Sequence, residues 1–190
     1  MAQLENAKPK VVDIHTHMYP PEYISMLSSR TTIPLVRSFP TSPDPRLILL
    51  EAEIPSLEEA TKNPSAPAPG RPLTKHYSSL PQKLHFMDTH GIDISVLSLA
   101  NPWLDFLPPS EAGPMATTIN TSFEEMCSAH PDRLYFFAAL PLTAPLDTIL
   151  ASIAGMYIQP PPHIPPLKPI AEPISLPLSP QQTVPPPKNH

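Results

Sequence analysis

Glycine and cysteine are nearly missing from this chain of 190 residues, with four of the first and one of the second. The lone Cys127 excludes an intramolecular disulfide framework and suits a reducing compartment, with burial in a helical stretch as its expected role. Charge is sparse as well: Asp, Glu, Lys and Arg make up 15% of residues, and the formal balance of −5 contains no basic cluster. Neither nucleic acid nor an anionic membrane surface is therefore an expected partner. No stretch approaches the roughly 20 apolar residues of a membrane span, and the opening MAQLENAKPK has no apolar signal core. A soluble, cytoplasmic protein is the expectation.

Proline is what the chain has in excess, 32 residues, and position decides its meaning. Proline removes a backbone donor and is excluded from helix interiors and central strands. Twelve prolines fall between Pro160 and Pro187, with no glycine after Gly155. Residues 156–190 thus read as a disordered, proline-rich tail that populates extended polyproline conformations, and residues 1–9 as a flexible N-terminus. Segments such as PPLKP in the tail would present a ridge to proline-recognition domains.

The intervening residues, 10–155, carry alternating periodicities. Residues 10–15 read as a buried strand rich in β-branched side chains, and Pro21 opens a short helix through Leu27. Residues 33–72 read as a hairpin-like insertion: IPLVRSF and RLILLEAEI flank the turn signal TSPDP, Ser56–Lys62 adds a helical turn, and NPSAPAPGRP is a loop carrying Arg71. A helix over Leu80–His90 is placed to end at Gly91. A strand follows over Ile92–Ala100, then a helix from Ser110 to His130, a strand over Leu134–Leu142 and a helix over Ala144–Ala154. Strands and helices in alternation imply an α/β fold with a parallel sheet, here three βα units.

His15 and His17 stand two apart on an extended chain, so both imidazoles project to one face at the strand's end, where one divalent metal would take both. The alternative is a pair of surface or capped histidines. Asp13 either orients the first imidazole or makes a strand-end hydrogen bond. Arg71 is a solvated loop cation or a carboxylate fork, and Asn101 a strand-end cap or a polar contact for substrate. Trp103, Phe106 and Tyr19 are core aromatics or an apolar wall over a planar ligand. His76, His85, His90, His130, His163 and His190 read as solvated or capping residues.

The run VVDIHTHMYPPEYI resembles the first-strand motif of the amidohydrolase superfamily, in its aminocarboxymuconate semialdehyde decarboxylase-like branch. The likeness extends through TIPLVRSFP, PRLILL, PGRPL, LHFMDTHGIDISVLSLANPW and RLYFFAALPL, covering about residues 10–154. The resemblance implies the N-terminal portion of a TIM-type (β/α)8 barrel, incomplete here, and a non-oxidative carboxy-lyase acting on an aromatic or pyrimidine carboxylate. It also implies a zinc-type site with His15 and His17 as the first two ligands, joined by a third histidine and an aspartate that this chain lacks. Arg71 and Asn101 match its substrate-holding positions, and homo-oligomers are common among such enzymes. The expectations that follow are a weakly held Zn2+ or similar ion and a truncated, inactive chain. An amidohydrolase, or a non-catalytic interaction protein, is the alternative.

Overall fold

The computed structural model describes residues 9–157. The expectations for the first eight residues, for His163, His190 and for the proline-rich segment from residue 158 lie outside the described residues. In chain order the elements are β1 (Val12–Met18), α1 (Pro21–Ser29), β2 (Leu35–Arg37), β3 (Arg46–Ile48), α2 (Ile54–Lys62), β4 (Arg71–Pro72), α3 (Leu80–His90), β5 (Ile94–Leu99), α4 (Pro109–Ser128), β6 (Leu134–Phe136) and α5 (Leu146–Tyr157).

Two sheets result. The main one is parallel, in the order β1-β5-β6, and its crossovers carry α3 and α4. This is the α/β arrangement of a partial TIM-type barrel wall. The second is antiparallel, in the order β2-β3-β4, and forms the insertion expected between residues 33 and 72.

One face of the parallel sheet is fully covered. Along β5, Ser95, Leu97 and Leu99 are buried while Ile94, Val96 and Ser98 alternate with them and are less covered. The helices supply matching stripes. On α4, Ala112, Ala116, Ile119 and Phe123 step by three or four residues and are all 0% exposed, as is Met87 on α3. Burying each large apolar side chain contributes about 1.5–3 kcal/mol. The other sheet face is open among the described residues: Ile14 is 66% exposed and Phe137 56%.

Local signals explain the element ends. The Ser79 hydroxyl accepts a hydrogen bond from the Gln82 N–H at the start of α3, and Gly91, with φ +66°, closes it in the left-handed region. In the insertion, Gly70 has φ +75°, and a Cβ there would sit 2.5 Å from the Leu47 carbonyl oxygen, so only glycine lets β4 reach β3. A separate core of Leu35, Phe39, Ile48, Ala60 and Ala66 holds α2 on this sheet.

Several expected boundaries shift. The first strand runs on to Met18 because parallel pairing continues to Met18 opposite Leu99. Arg71, expected in a loop, lies in β4, where Leu47 pairs with it. The third strand of the parallel sheet stops at Phe136, since beyond the Phe137 N–H bonded to the Leu97 carbonyl its ladder has no further partner among the described residues. The last helix passes through Gly155 to Tyr157, glycine in a helix costing only about 1 kcal/mol. Among the described residues no helix is long and apolar enough to cross a membrane.

Candidate metal centre

The two histidines of β1 meet as their spacing requires. Their ring centroids lie 5.0 Å apart with planes at 77°. His15 is exposed and His17 half-buried, while Thr16 between them points into the covered face. A bulge precedes them: the register to β5 shifts between Asp13 and Thr16, and the Asp13 carboxylate accepts the His15 backbone N–H at 3.0 Å. Asp13 thus makes the strand-end hydrogen bond, to the His15 backbone N–H.

His17 is tied to the neighbouring strand. Its Cα is in register with Ser98, whose Oγ lies 2.9 Å from His17 Nδ1 and donates to the Thr16 carbonyl at 3.1 Å. Burial holds the His17 imidazole below its ordinary value, and His15, Lys83 and Arg71 push in the same direction. His17 is therefore neutral at physiological pH, the form that ligates metal.

Lys83, on α3, donates to the Thr16 hydroxyl on the covered side of β1. Burial lowers its pKa, against the opposing pull of Asp13. A cation thus sits directly behind the histidine strand, a residue the sequence reading missed. Ser98 was missed too; its signal is its strand parity, which is informative only once the β1-β5 register is known.

Arg71 and Asn101 come together, joined by Tyr19. The Arg71 guanidinium donates through Nη2 to both the Tyr19 hydroxyl and the Asn101 backbone carbonyl, and the Tyr19 hydroxyl donates to that same carbonyl. Asn101 enters through its main chain, and the residue is exposed. Tyr19 is 1% exposed and stacks on Tyr23, with centroids 5.9 Å apart, and burial raises its hydroxyl to about 12. It is a neutral hydrogen-bonding link, not an apolar wall.

The remaining aromatics divide. Trp103 is 62% exposed and lines a cleft of about 280 Å³ together with Ser98, Leu104, Phe137, Leu140 and Leu142, at the C-terminal ends of β5 and β6. Phe106 lies elsewhere, with the Arg30 guanidinium 4.5 Å above its ring. The described histidines outside β1 stay apart from the pair: His90 stacks on Phe86 of its own helix, and His76 and His85 are exposed. Among the described residues no group of three or more His, Cys, Asp or Glu is placed to hold a metal ion. Cys127 is half-buried, and burial raises its thiol to about 12, which keeps it an unreactive packing residue.

Several known proteins are similar to this chain. The apo form of IDCase from Metarhizium anisopliae is 65% identical, with a TM-score of 0.75 over 80% of this chain and 40% of that one. A 5-carboxyvanillate decarboxylase from Sphingomonas paucimobilis, 15% identical, has a TM-score of 0.52 over the same shares and supports the fold alone. Among curated proteins, gamma-resorcylate decarboxylases from Rhizobium radiobacter and Rhodococcus jostii are each 41% identical over 64 residues, which is 33% of this chain and 20% of theirs. The chain therefore spans a fifth of the length of these curated relatives and two fifths of the solved ones. No family model matches it.

Proposed function

We propose, for a chain that matches the N-terminal part of the amidohydrolase-superfamily decarboxylases, that its residues form the metal- and carboxylate-binding half of a non-oxidative carboxy-lyase site. The observation that carries this reading is the pair of imidazoles 5.0 Å apart on β1 with the Arg71 charge near enough to act on His17. The donor chemistry fits a divalent ion such as zinc: two imidazoles, one of them held neutral by its surroundings. His15 and His17 would hold it. When bound, such an ion supplies positive charge that stabilises negative charge developing as a carboxylate leaves.

This chain's own residues do the rest. Arg71 spends Nη2 on Tyr19 and Asn101, which locks the plane of the guanidinium and leaves Nη1 to reach a substrate carboxylate by a charge-assisted hydrogen bond. The cleft beside Ser98 and Trp103 accepts a planar ring. The phrases TIPLVRSFP, PRLILL and PGRPL are similar to iso-orotate (uracil-5-carboxylate) decarboxylase, and uracil-5-carboxylate is the substrate we favour.

Loss of carbon dioxide requires a proton at the ring carbon, and the described acid beside the histidine pair, Asp13, is engaged by the His15 backbone N–H. Two imidazoles hold metal weakly, since catalytic zinc takes three protein ligands. The 190-residue chain by itself then binds zinc weakly and does not turn over. The test is to express the chain, measure zinc uptake, and assay carbon dioxide release from uracil-5-carboxylate and gamma-resorcylate. Turnover by the pure chain overturns the inactivity, and zinc uptake that is absent from the wild type, or unchanged in His15→Ala and His17→Ala, overturns the metal assignment.

A further inference from the structure

We infer that Ser98 is a positioning residue that holds His17 in its Nδ1–H tautomer and so leaves Nε2 as the imidazole's free lone pair. The argument is one of counting protons. Ser98 Oγ stands 2.9 Å from His17 Nδ1 and 3.1 Å from the Thr16 carbonyl oxygen. A serine hydroxyl has one proton to donate and two lone pairs to accept with. The Thr16 carbonyl can only accept, so the hydroxyl proton points there. His17 Nδ1 must then be the donor, and its proton points at Ser98 Oγ. If the hydroxyl instead donated to Nδ1, the Thr16 contact would have no hydrogen between its two oxygens.

The register makes this a built feature. Ser98 and His17 are Cα partners across two parallel strands, so their side chains stand side by side on the open sheet face. The consequence for metal rests on the reading given above: ligating imidazoles generally donate their second N–H to a fixed acceptor, which sets ring orientation and raises the basicity of the ligating nitrogen. Here the acceptor is a hydroxyl oriented in turn by the backbone of the histidine strand itself.

The test uses the full chain, labelled with nitrogen-15 and free of metal, at a pH where imidazole is neutral. Long-range proton–nitrogen correlation spectra report the tautomer, with the His17 signals assigned through His17→Gln. The wild type and Ser98→Thr, which keeps the hydroxyl, should show the Nδ1–H form. Ser98→Ala should move His17 to the Nε2–H form that unconstrained imidazole favours. Zinc affinity, read by competition with a chromophoric chelator, should fall about tenfold to a hundredfold in Ser98→Ala and be retained in Ser98→Thr. An Nε2–H form in the wild type overturns the inference without any variant, as does measurable zinc binding of equal affinity in the wild type and Ser98→Ala. A wild type that binds no zinc yet shows the Ser98-dependent tautomer removes the metal reading and leaves the hold of Ser98 on His17 standing.

Discussion

Replacing Tyr23 by phenylalanine removes one oxygen from the support of the site and leaves everything else in place. Tyr23 is 0% exposed; its hydroxyl donates to the Pro102 carbonyl at 2.5 Å and lies 3.1 Å from the Trp103 carbonyl. Pro102 is buried, so without that donor its carbonyl loses its partner in a place water does not reach. Leaving a buried acceptor unsatisfied costs about 1–3 kcal/mol. The ring itself remains, still stacked on Tyr19 with planes 11° apart, so no large cavity term is added. For a domain of this size each kcal/mol lowers Tm by about 2–4 °C, giving a fall of roughly 2–12 °C. Urea unfolding followed by fluorescence is the assay, because Trp103, the only tryptophan, sits on the loop that Tyr23 anchors. The midpoint should fall with an unchanged m-value, and native Trp103 emission should shift as the loop loosens. A stability change below about 0.5 kcal/mol would refute the argument, since that is the size expected of a surface substitution.

Arg71→Lys keeps the charge but cannot hold Tyr19, Asn101 and a carboxylate at once; binding of uracil-5-carboxylate, read by calorimetry, should weaken about tenfold to a hundredfold. The depressed His17 value has a definite sign: the folded chain resists protonation that the unfolded imidazole, titrating near 6.5, accepts. Stability should therefore be complete above about pH 6.5 and decline as pH falls through the window below it, and His17→Gln should flatten this slope in urea unfolding across pH. Gly70→Ala drives a methyl into the Leu47 carbonyl and demands a left-handed backbone of alanine, so thermal unfolding should drop by more than about 1 kcal/mol equivalent while zinc uptake at β1 is retained.

Most of the architecture was legible because its signals are local. The β-rich, apolar run Ile92–Ala100, the glycine after His90 and the proline-bounded insertion each depend on a few consecutive residues, and the parallel sheet follows from their order. What was not legible depends on pairing. Arg71 reads as a loop residue between prolines and glycine, yet it occupies a strand because Leu47 accepts it across the sheet. LYFFAALPL reads as nine residues of strand, but a strand is as long as its ladder, and this one has three residues paired with β5. Within the site, His15 and His17 announce themselves by spacing, whereas Ser98 and Lys83 become visible only once β5 and α3 are set against β1. Tyr19 looked apolar in the sequence and is instead the hydroxyl through which Arg71 and Asn101 meet.

These placements also say why the two halves of the candidate site are separable. The imidazoles ride on β1 and are fixed from β5 through Ser98 and from α3 through Lys83 beneath Thr16. The guanidinium rides on the insertion, where Arg46 donates to the Pro69 carbonyl at 3.0 Å and also to the Gly70 carbonyl, pinning the turn that delivers Arg71. The modules join through the loop after β5, because the Asn101 carbonyl receives both Tyr19 and Arg71 while Tyr23 holds the following carbonyls. A change within the insertion therefore displaces the Arg71 guanidinium and spares the histidines, whereas a change at Ser98 does the reverse. Loosening the loop at Tyr23 bears on the junction alone, which is where a carboxylate gripped by Arg71 would have to be brought within reach of a cation on His15 and His17.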